Sequence, residues 1–225
     1  RAEIETEIKP LTWLSERTED ELLYWANRDG GDETAAAGVL VRVSGSAASG
    51  TASWMQQIDS HLHTAAAGVR FYGGTRFDLS SPAAPEWKML GGYRFVVPRY
   101  EAVTRDGLTL LACNFFPAER DRLPELLTTL LHEPLPRPTV SPPVRLRRHA
   151  DAPDRSNWET LIEIALRTIN NPADPLTKVV MARCTEATAS SPITPQALLN
   201  AMSRVDDHSF RFLVQTCPKT AFTSV

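Results

Sequence analysis

The sequence has little of what the common catalytic and binding sites require. Its three cysteines, Cys113, Cys184 and Cys217, are widely separated and form no Cys-x-x-Cys pair, which excludes a disulfide framework and a cysteine zinc site and favours a reducing cytoplasm. Neither a Gly-x-Ser-x-Gly elbow nor a glycine-rich nucleotide-binding loop occurs. With a net charge of −3 and only short apolar runs, the chain is expected to bind neither nucleic acid nor membrane.

What the chain contains is typical of a globular α+β protein. Hydrophobic residues make up 42% and charged residues 23% of its 225 positions, which is an ordinary balance. Alternating apolar residues bounded by turn signals predict strands. These lie at 22–28, 36–43, 69–77, 92–97, 108–115, 176–188, 209–215 and 221–225. Short turns between strands imply antiparallel sheets with helices packed on one face.

Several local signals accompany this pattern. The glycine pair Gly73-Gly74 predicts a bulge or a close backbone approach rather than a phosphate site. Ser156 with Glu159 fits a helix capping box, and Thr194 before Pro195 fits the start of another helix.

A proline-rich joint divides the chain. Residues 133–153 hold six of the seventeen prolines, a density that favours an extended connector. We therefore predict an N-terminal α+β segment over 1–132 and a second segment over 154–225. The absence of an initiator Met and the incomplete last strand predict that the chain is a fragment.

Lys178 is the leading candidate for catalysis because it opens the apolar run Lys178-Val179-Val180-Met181-Ala182-Arg183. A lysine buried in a strand must find a carboxylate or lose its proton, and a neutral lysine is a general base. The alternative is a strand-end lysine that reaches solvent. Arg183 falls on the opposite strand face, where a structural ion pair is the simpler interpretation. His61 and His63 lack the spacing for chelation from one helix face and are interpreted as surface residues.

The order of motifs is more specific than any one of them. It runs from Tyr24-Trp25-x-x-Arg28-Asp29-Gly30 through Phe71-x-Gly73-Gly74-x-x-Phe77-Asp78 to the Lys178–Arg183 run and Ala221-Phe222. This order resembles isochorismate synthases of the menaquinone or siderophore pathways, within the chorismate-utilising enzymes. It covers about the first half of such an enzyme. Anthranilate synthases resemble it in fold but usually carry glutamine at the position of Lys178.

The resemblance implies a reaction and its partners. In the family, the lysine activates water to attack carbon 2 of chorismate, and the carbon 4 hydroxyl leaves. A glutamate in a Ser-Pro-Glu motif protonates that hydroxyl, and later glutamates hold Mg²⁺. Only Lys178 carries over to this chain, so we expect the acid, the magnesium ligands and a C-terminal half to come from elsewhere. We also expect the chain alone to be inactive.

Two alternatives remain open from the sequence. A salicylate synthase shares the lysine and adds a lyase step. A non-catalytic module of the same fold would instead bind or regulate a partner chain, with its open terminal strand accepting a strand from that partner.

Overall fold

The structure is a computed structural model that describes residues 1–46, 51–131, 144–205, 208–217 and 220–224. The chain forms two compact units, one from Arg1–Arg137 with Thr194–Val225 and the other from Pro138–Ile193. These bounds differ from the predicted joint because the last two strands pair into a sheet of the first unit. Residues 133–143 of the predicted connector lie outside the described residues, and Leu146–Ala152 within it forms a paired strand of the second unit rather than a linker. The division of the sequence into an N-terminal segment, 1–132, and a second segment, 154–225, stays a prediction.

A seven-stranded antiparallel sheet dominates the first unit. Its order is β1-β8-β7-β3-β2-β11-β12. The strands are β1 Ala2–Thr6, β2 Leu22–Ala26, β3 Glu33–Ala37, β7 Tyr100–Arg105, β8 Leu108–Cys113, β11 Arg211–Cys217 and β12 Thr220–Ser224. The antiparallel α+β architecture expected from the turn spacing is thus confirmed.

Small residues in the middle of this sheet allow a short helix to approach closely. Helix α1, Pro10–Leu14, packs on β3, where Ala35 and Ala37 are fully buried. Its residues Trp13 and Leu14 enter the main core together with Leu213 of β11. Each fully buried leucine contributes roughly 1.5–3 kcal/mol to stability. The core therefore joins the beginning and the end of the sequence.

A second sheet has three strands in the order β4-β6-β5. The strands are β4 Val41–Gly45, β5 Tyr72–Thr75 and β6 Tyr93–Val97. Helix α2, Thr51–Thr64, covers it through Trp54, whose ring stacks on Phe95 with centroids 4.7 Å apart. The single strand predicted over 36–43 is wrong, because Gly38 at φ +68° turns the chain from β3 into β4 of the other sheet.

The predicted close backbone approach at the glycine pair is confirmed at Gly73. Its φ is +152°, and an added Cβ would lie 1.9 Å from the carbonyl oxygen of Arg94 on β6. No side chain fits there, so the pairing of β5 with β6 requires glycine at this position.

Gly73→Ala should therefore lower the free energy of unfolding by at least about 2 kcal/mol, through strain and separation of β5 from β6. Chemical denaturation of the chain measures this effect. Gly74→Ala is the matched control, since an added Cβ there meets nothing within 4 Å. Equal destabilisation by both variants would contradict the interpretation.

The remaining helices of the first unit cover the edges of the core. They are α3, Leu123–Leu131, and α5, Pro195–Ser203, with 3₁₀ helices at Pro85–Leu90 and Pro117–Arg122. Helix α5 begins as predicted, because the Thr194 side chain accepts a hydrogen bond from Ala197 N at 3.2 Å. It packs on β11 and β12.

The second unit is a small hairpin with one helix. Strand β9, Leu146–Ala152, pairs antiparallel with β10, Cys184–Ala189, and helix α4 spans Arg155–Ile169. The predicted capping box at Ser156 is wrong. Asp154 is the N-cap instead, accepting from Asn157 N at 2.9 Å, while Glu159 accepts from Arg155 Nε at 2.9 Å.

Candidate functional site

Lys178 lies in the second unit, in a segment without regular secondary structure. The predicted strand over 176–188 is correct only from Cys184 onward, so alternation along a strand does not orient Lys178. The side chain is exposed, and its apolar neighbours Val179 and Val180 are 37% and 82% exposed. Within the described ranges no carboxylate forms an ion pair with it. The structure thus shows an accessible lysine in an apolar segment, and its role as a base stays a prediction.

Arg183 ends the same segment and is also exposed. It lies near Asp151, whose pKa is lowered first by the hydrogen bond from the Thr185 hydroxyl, at 2.7 Å, and further by the charges of Arg148 and Arg183. The ion-pair partner of Asp151 is Arg148, at 2.7 Å, and the ion pair predicted for Arg183 is not seen within the described residues.

Helix α4, which precedes this segment in the sequence, has exposed apolar side chains. Leu161, Ile164 and Leu166 are 43%, 50% and 54% exposed, and none of the helix residues is buried. A helix of this amphipathic kind normally buries its apolar face. The second unit therefore presents exposed apolar surface on its helix and on the lysine segment.

A large cavity lies within the first unit, between the two sheets. Its volume is about 880 Å³. Strands β2, β11 and β12 line one side, and β5, β6 and the loops around them line the other. Aromatic side chains form much of its wall, namely Trp25, Phe71, Phe77, Trp87, Phe212 and Phe222. Sequence reasoning did not find this cavity, because it is formed by strands that are distant in the sequence.

The cavity also contains paired charges. Glu21 is only 8% exposed and accepts hydrogen bonds from Arg94, with Nε to Oε2 at 3.3 Å, and from Arg42. Gln215 lies beside this pair and donates from Nε2 to the Asp20 carbonyl oxygen at 3.1 Å. The neighbouring Thr216 hydroxyl is buried and has no hydrogen-bond partner among the described residues. Two guanidiniums share the one carboxylate of Glu21, so this cluster keeps a net positive charge beside a cavity wall that is otherwise largely apolar.

A buried carboxylate connects β7 to β5. Glu101 is fully buried and accepts hydrogen bonds from Arg1 Nη1 at 2.8 Å, Asn114 Nδ2 at 2.5 Å and the Tyr72 hydroxyl at 3.0 Å. These partners satisfy a charge whose burial would otherwise be costly. The network is structural, because each oxygen of Glu101 is engaged within the core.

This network predicts a loss of stability in alkali. Burial, with the charge of Glu101 as the next cause, raises the pKa of Tyr72. The folded state therefore favours the protonated phenol, so its contribution is present below the unfolded pKa of about 10 and is lost as the pH rises further. The slope of unfolding free energy against pH above about 10 should be shallower in Tyr72→Phe. An unchanged slope would contradict this assignment.

Metal-binding residues are not grouped in the described ranges. No cluster of three or more His, Cys, Asp or Glu side chains that could hold a metal occurs there. His61 and His63 are both exposed on α2. The residues that the structure describes therefore do not fit the magnesium site implied by the resemblance, and no catalytic step through the ion follows from them.

No described helix is long and apolar enough to cross a membrane.

Curated relatives of the chain carry one common name. This chain is 31% identical over 168 residues to "Isochorismate synthase, chloroplastic" from Catharanthus roseus, and the match covers 68% of this chain and 28% of that protein. It is 26% identical over 213 residues to Isochorismate synthase MenF from Escherichia coli, covering 94% of this chain and 45% of that protein. The chain thus spans less than half the length of these relatives.

Solved structures share the fold. The structure of the menaquinone-specific isochorismate synthase MenF from Escherichia coli matches 99% of this chain and 49% of its own, with a TM-score of 0.67 and 24% identity. A putative 2,3-dihydroxybenzoate-specific isochorismate synthase, DhbC from Bacillus anthracis, matches 90% of this chain and 42% of its own at a TM-score of 0.53 and 14% identity. Both matches confirm the α+β architecture as part of a larger fold.

A family model described as "Chorismate binding enzyme" matches residues 2–225, which is nearly the whole sequence. This match includes both structural units and the segment that carries Lys178. The chain belongs to the family of chorismate-binding enzymes, and the relatives named here are of the isochorismate synthase type.

Proposed function

We propose that this chain supplies about half of an isochorismate synthase, which converts chorismate to isochorismate. The observation that carries the proposal is the family match over residues 2–225 together with relatives named isochorismate synthase. In this proposal Lys178 takes a proton from water. The water oxygen forms a bond to carbon 2 of chorismate, both ring double bonds shift, to carbons 1 and 6 and to carbons 4 and 5, and the carbon 4 hydroxyl leaves with a proton.

The surroundings of Lys178 support this role in a completed enzyme. The lysine is accessible, and the neighbouring valines expose apolar surface. Covering such a segment removes water from the amine and favours its neutral form, which is the form that acts as a base. The role needs no change in the second unit's hairpin, since Lys178 lies outside its strands.

The remaining parts of the site are proposed to come from the portion of the relatives that this chain does not match. That portion would carry the acid for the leaving hydroxyl and the ligands of Mg²⁺, an ion that prefers carboxylate oxygens.

We propose a menaquinone-type enzyme, because the match to MenF covers 94% of this chain. The buried Cys113 and the exposed Cys184 form no disulfide, which suits a reducing compartment such as the cytoplasm.

The test uses a completed enzyme, defined as this chain joined to the portion of Escherichia coli MenF that it does not match. Chorismate is supplied with Mg²⁺, and the products are separated by chromatography. The proposal predicts isochorismate as the product. Release of salicylate and pyruvate would instead assign the salicylate synthase reaction, and absence of any chorismate turnover would contradict both enzymatic proposals.

A non-catalytic partner-binding module is the second candidate. The specific observation in its favour is the exposure of Lys178, which in this structure has neither a carboxylate partner among the described residues nor a buried environment. Substitution of Lys178 in the completed enzyme separates the two candidates.

A further inference from the structure

The corner where the two sheets of the first unit meet contains an ion cluster of Glu21, Arg42 and Arg94. We infer that this cluster is an electrostatic latch, in which the carboxylate of Glu21 holds the three-stranded sheet closed against the seven-stranded sheet. The latch is independent of the proposed function, since none of its residues belongs to the segment that carries Lys178.

One bent ribbon connects the two sheets. Strand β3 continues into β4 across residues 38–40, and β6 continues into β7 across residues 98–99. The two links stay hydrogen-bonded to each other, with Leu40 N donating to Val97 O at 2.8 Å. Three residues thus oppose two, which is the extra residue of a bulge that bends a ribbon. Among the strands that the structure describes, only this ribbon continues from one sheet into the other, so side-chain contacts must fix the angle between the sheets.

Two arginines of the second sheet are neighbours on one face. Arg42 of β4 lies opposite Val96, and Arg94 of β6 lies opposite Ser44. Because Arg94 is two residues from Val96, both arginines point to the same face. Such diagonal neighbours are roughly 7–8 Å apart, within reach of each other for long side chains. Strands β4 and β6 therefore bring two like charges together, and another group must neutralise them.

The neutralising carboxylate comes from the other sheet. Glu21 precedes β2, and its backbone carbonyl accepts a hydrogen bond from Gly38 N at the corner, at 2.9 Å. Its side chain accepts from Arg42 Nη2 through Oε1 and from Arg94 Nε through Oε2, the latter at 3.3 Å. The side chains of Glu21 and Arg94 are only 9% and 18% exposed, whereas that of Arg42 is 45% exposed. One buried carboxylate thus joins the two sheets through one buried and one half-exposed cation.

Loss of the carboxylate should open the corner. Glu21→Gln leaves the buried Arg94 beside a like charge and without a counter-charge, and an unpaired buried charge is strongly unfavourable. This guanidinium regains water only if the second sheet moves away from Glu21. Arg94→Gln instead leaves Glu21 paired with Arg42. The double variant Glu21→Gln/Arg94→Gln leaves only the half-exposed Arg42, so it should recover most of what Glu21→Gln loses.

The experiment is residue-resolved hydrogen exchange of the 225-residue chain. The corner amides Gly38 N and Leu40 N, which are hydrogen-bonded in the closed corner, should exchange at least about tenfold faster in Glu21→Gln, while amides of β7 and β8 stay unchanged. Arg94→Gln and the double variant should each change the corner rates by less than about threefold. Glu19→Gln is the matched control, because Glu19 lies in the same segment but pairs with Arg17 rather than with the second sheet.

Several results would overturn the latch. They are unchanged corner exchange in Glu21→Gln, an equal rise in Glu19→Gln, an equal rise throughout β7 and β8, or a double variant that exchanges as fast as Glu21→Gln. The last result would assign Glu21 a packing role, which removal of a cation does not restore. If Glu21→Gln does not fold, recovery of the folded chain in the double variant, measured by circular dichroism, would support the latch, and failure of that recovery would overturn it.

Discussion

Lys178→Ala in the completed enzyme is expected to lower kcat for isochorismate formation by about 10²–10⁴-fold, the usual contribution of a positioned general base. Lys178→Arg should lose as much activity, because a guanidinium keeps its proton. If Lys178 only supplied a positive charge, arginine would restore much of the rate. Chorismate turnover of the two variants, measured at saturating substrate, separates these roles.

The controls for this prediction use the fact that the side chains of Lys178 and Lys88 are both exposed. Lys178 is exposed and outside regular secondary structure, so its replacement should change stability by less than about 0.5 kcal/mol. Lys88 is an exposed lysine of the first unit, and Lys88→Ala should leave kcat unchanged. Full activity of Lys178→Ala with an unchanged melting temperature would contradict the role as a base and favour the non-catalytic module.

The 225-residue chain alone should convert chorismate at no measurable rate, even with Mg²⁺ present. The described residues provide no cluster for the ion, and Lys178 lies in an uncovered segment. Loss of each preorganised electrostatic partner typically lowers the rate by about 10²–10³-fold. Joining the unmatched portion of MenF should restore turnover. Isochorismate formation by the purified chain alone would show that this chain contains a complete site.

The local features of the fold were predicted where one residue determines the backbone. Thr194 with Pro195 fixed the start of α5, and Gly73 required a close backbone approach. Local predictions were wrong where a neighbouring residue determined the backbone instead of the predicted one. Asp154 caps α4 in place of Ser156, and Gly38 divides one apolar run between two sheets.

The nonlocal features could not be predicted from the sequence. Strand β7 and helix α1 were missed because their residues are selected by packing against β3 rather than by a local pattern. The cavity is lined by strands from both ends of the sequence, and Glu101 is bound by Arg1, Tyr72 and Asn114, which lie 100, 29 and 13 positions away, so no regular spacing indicates either feature. Lys178 was singled out because it opens an apolar run and because that run resembles a family motif, but the segment has no regular secondary structure where the pattern predicted a strand.

The most direct test of the account is the fate of a water oxygen. The completed enzyme is incubated with chorismate in H₂¹⁸O, and the isochorismate is analysed by mass spectrometry with fragmentation. Water activated by Lys178 predicts one ¹⁸O, located at carbon 2, with formation of this product reduced in Lys178→Ala by the factor given above. Isochorismate that retains only the original oxygen atoms would contradict the account.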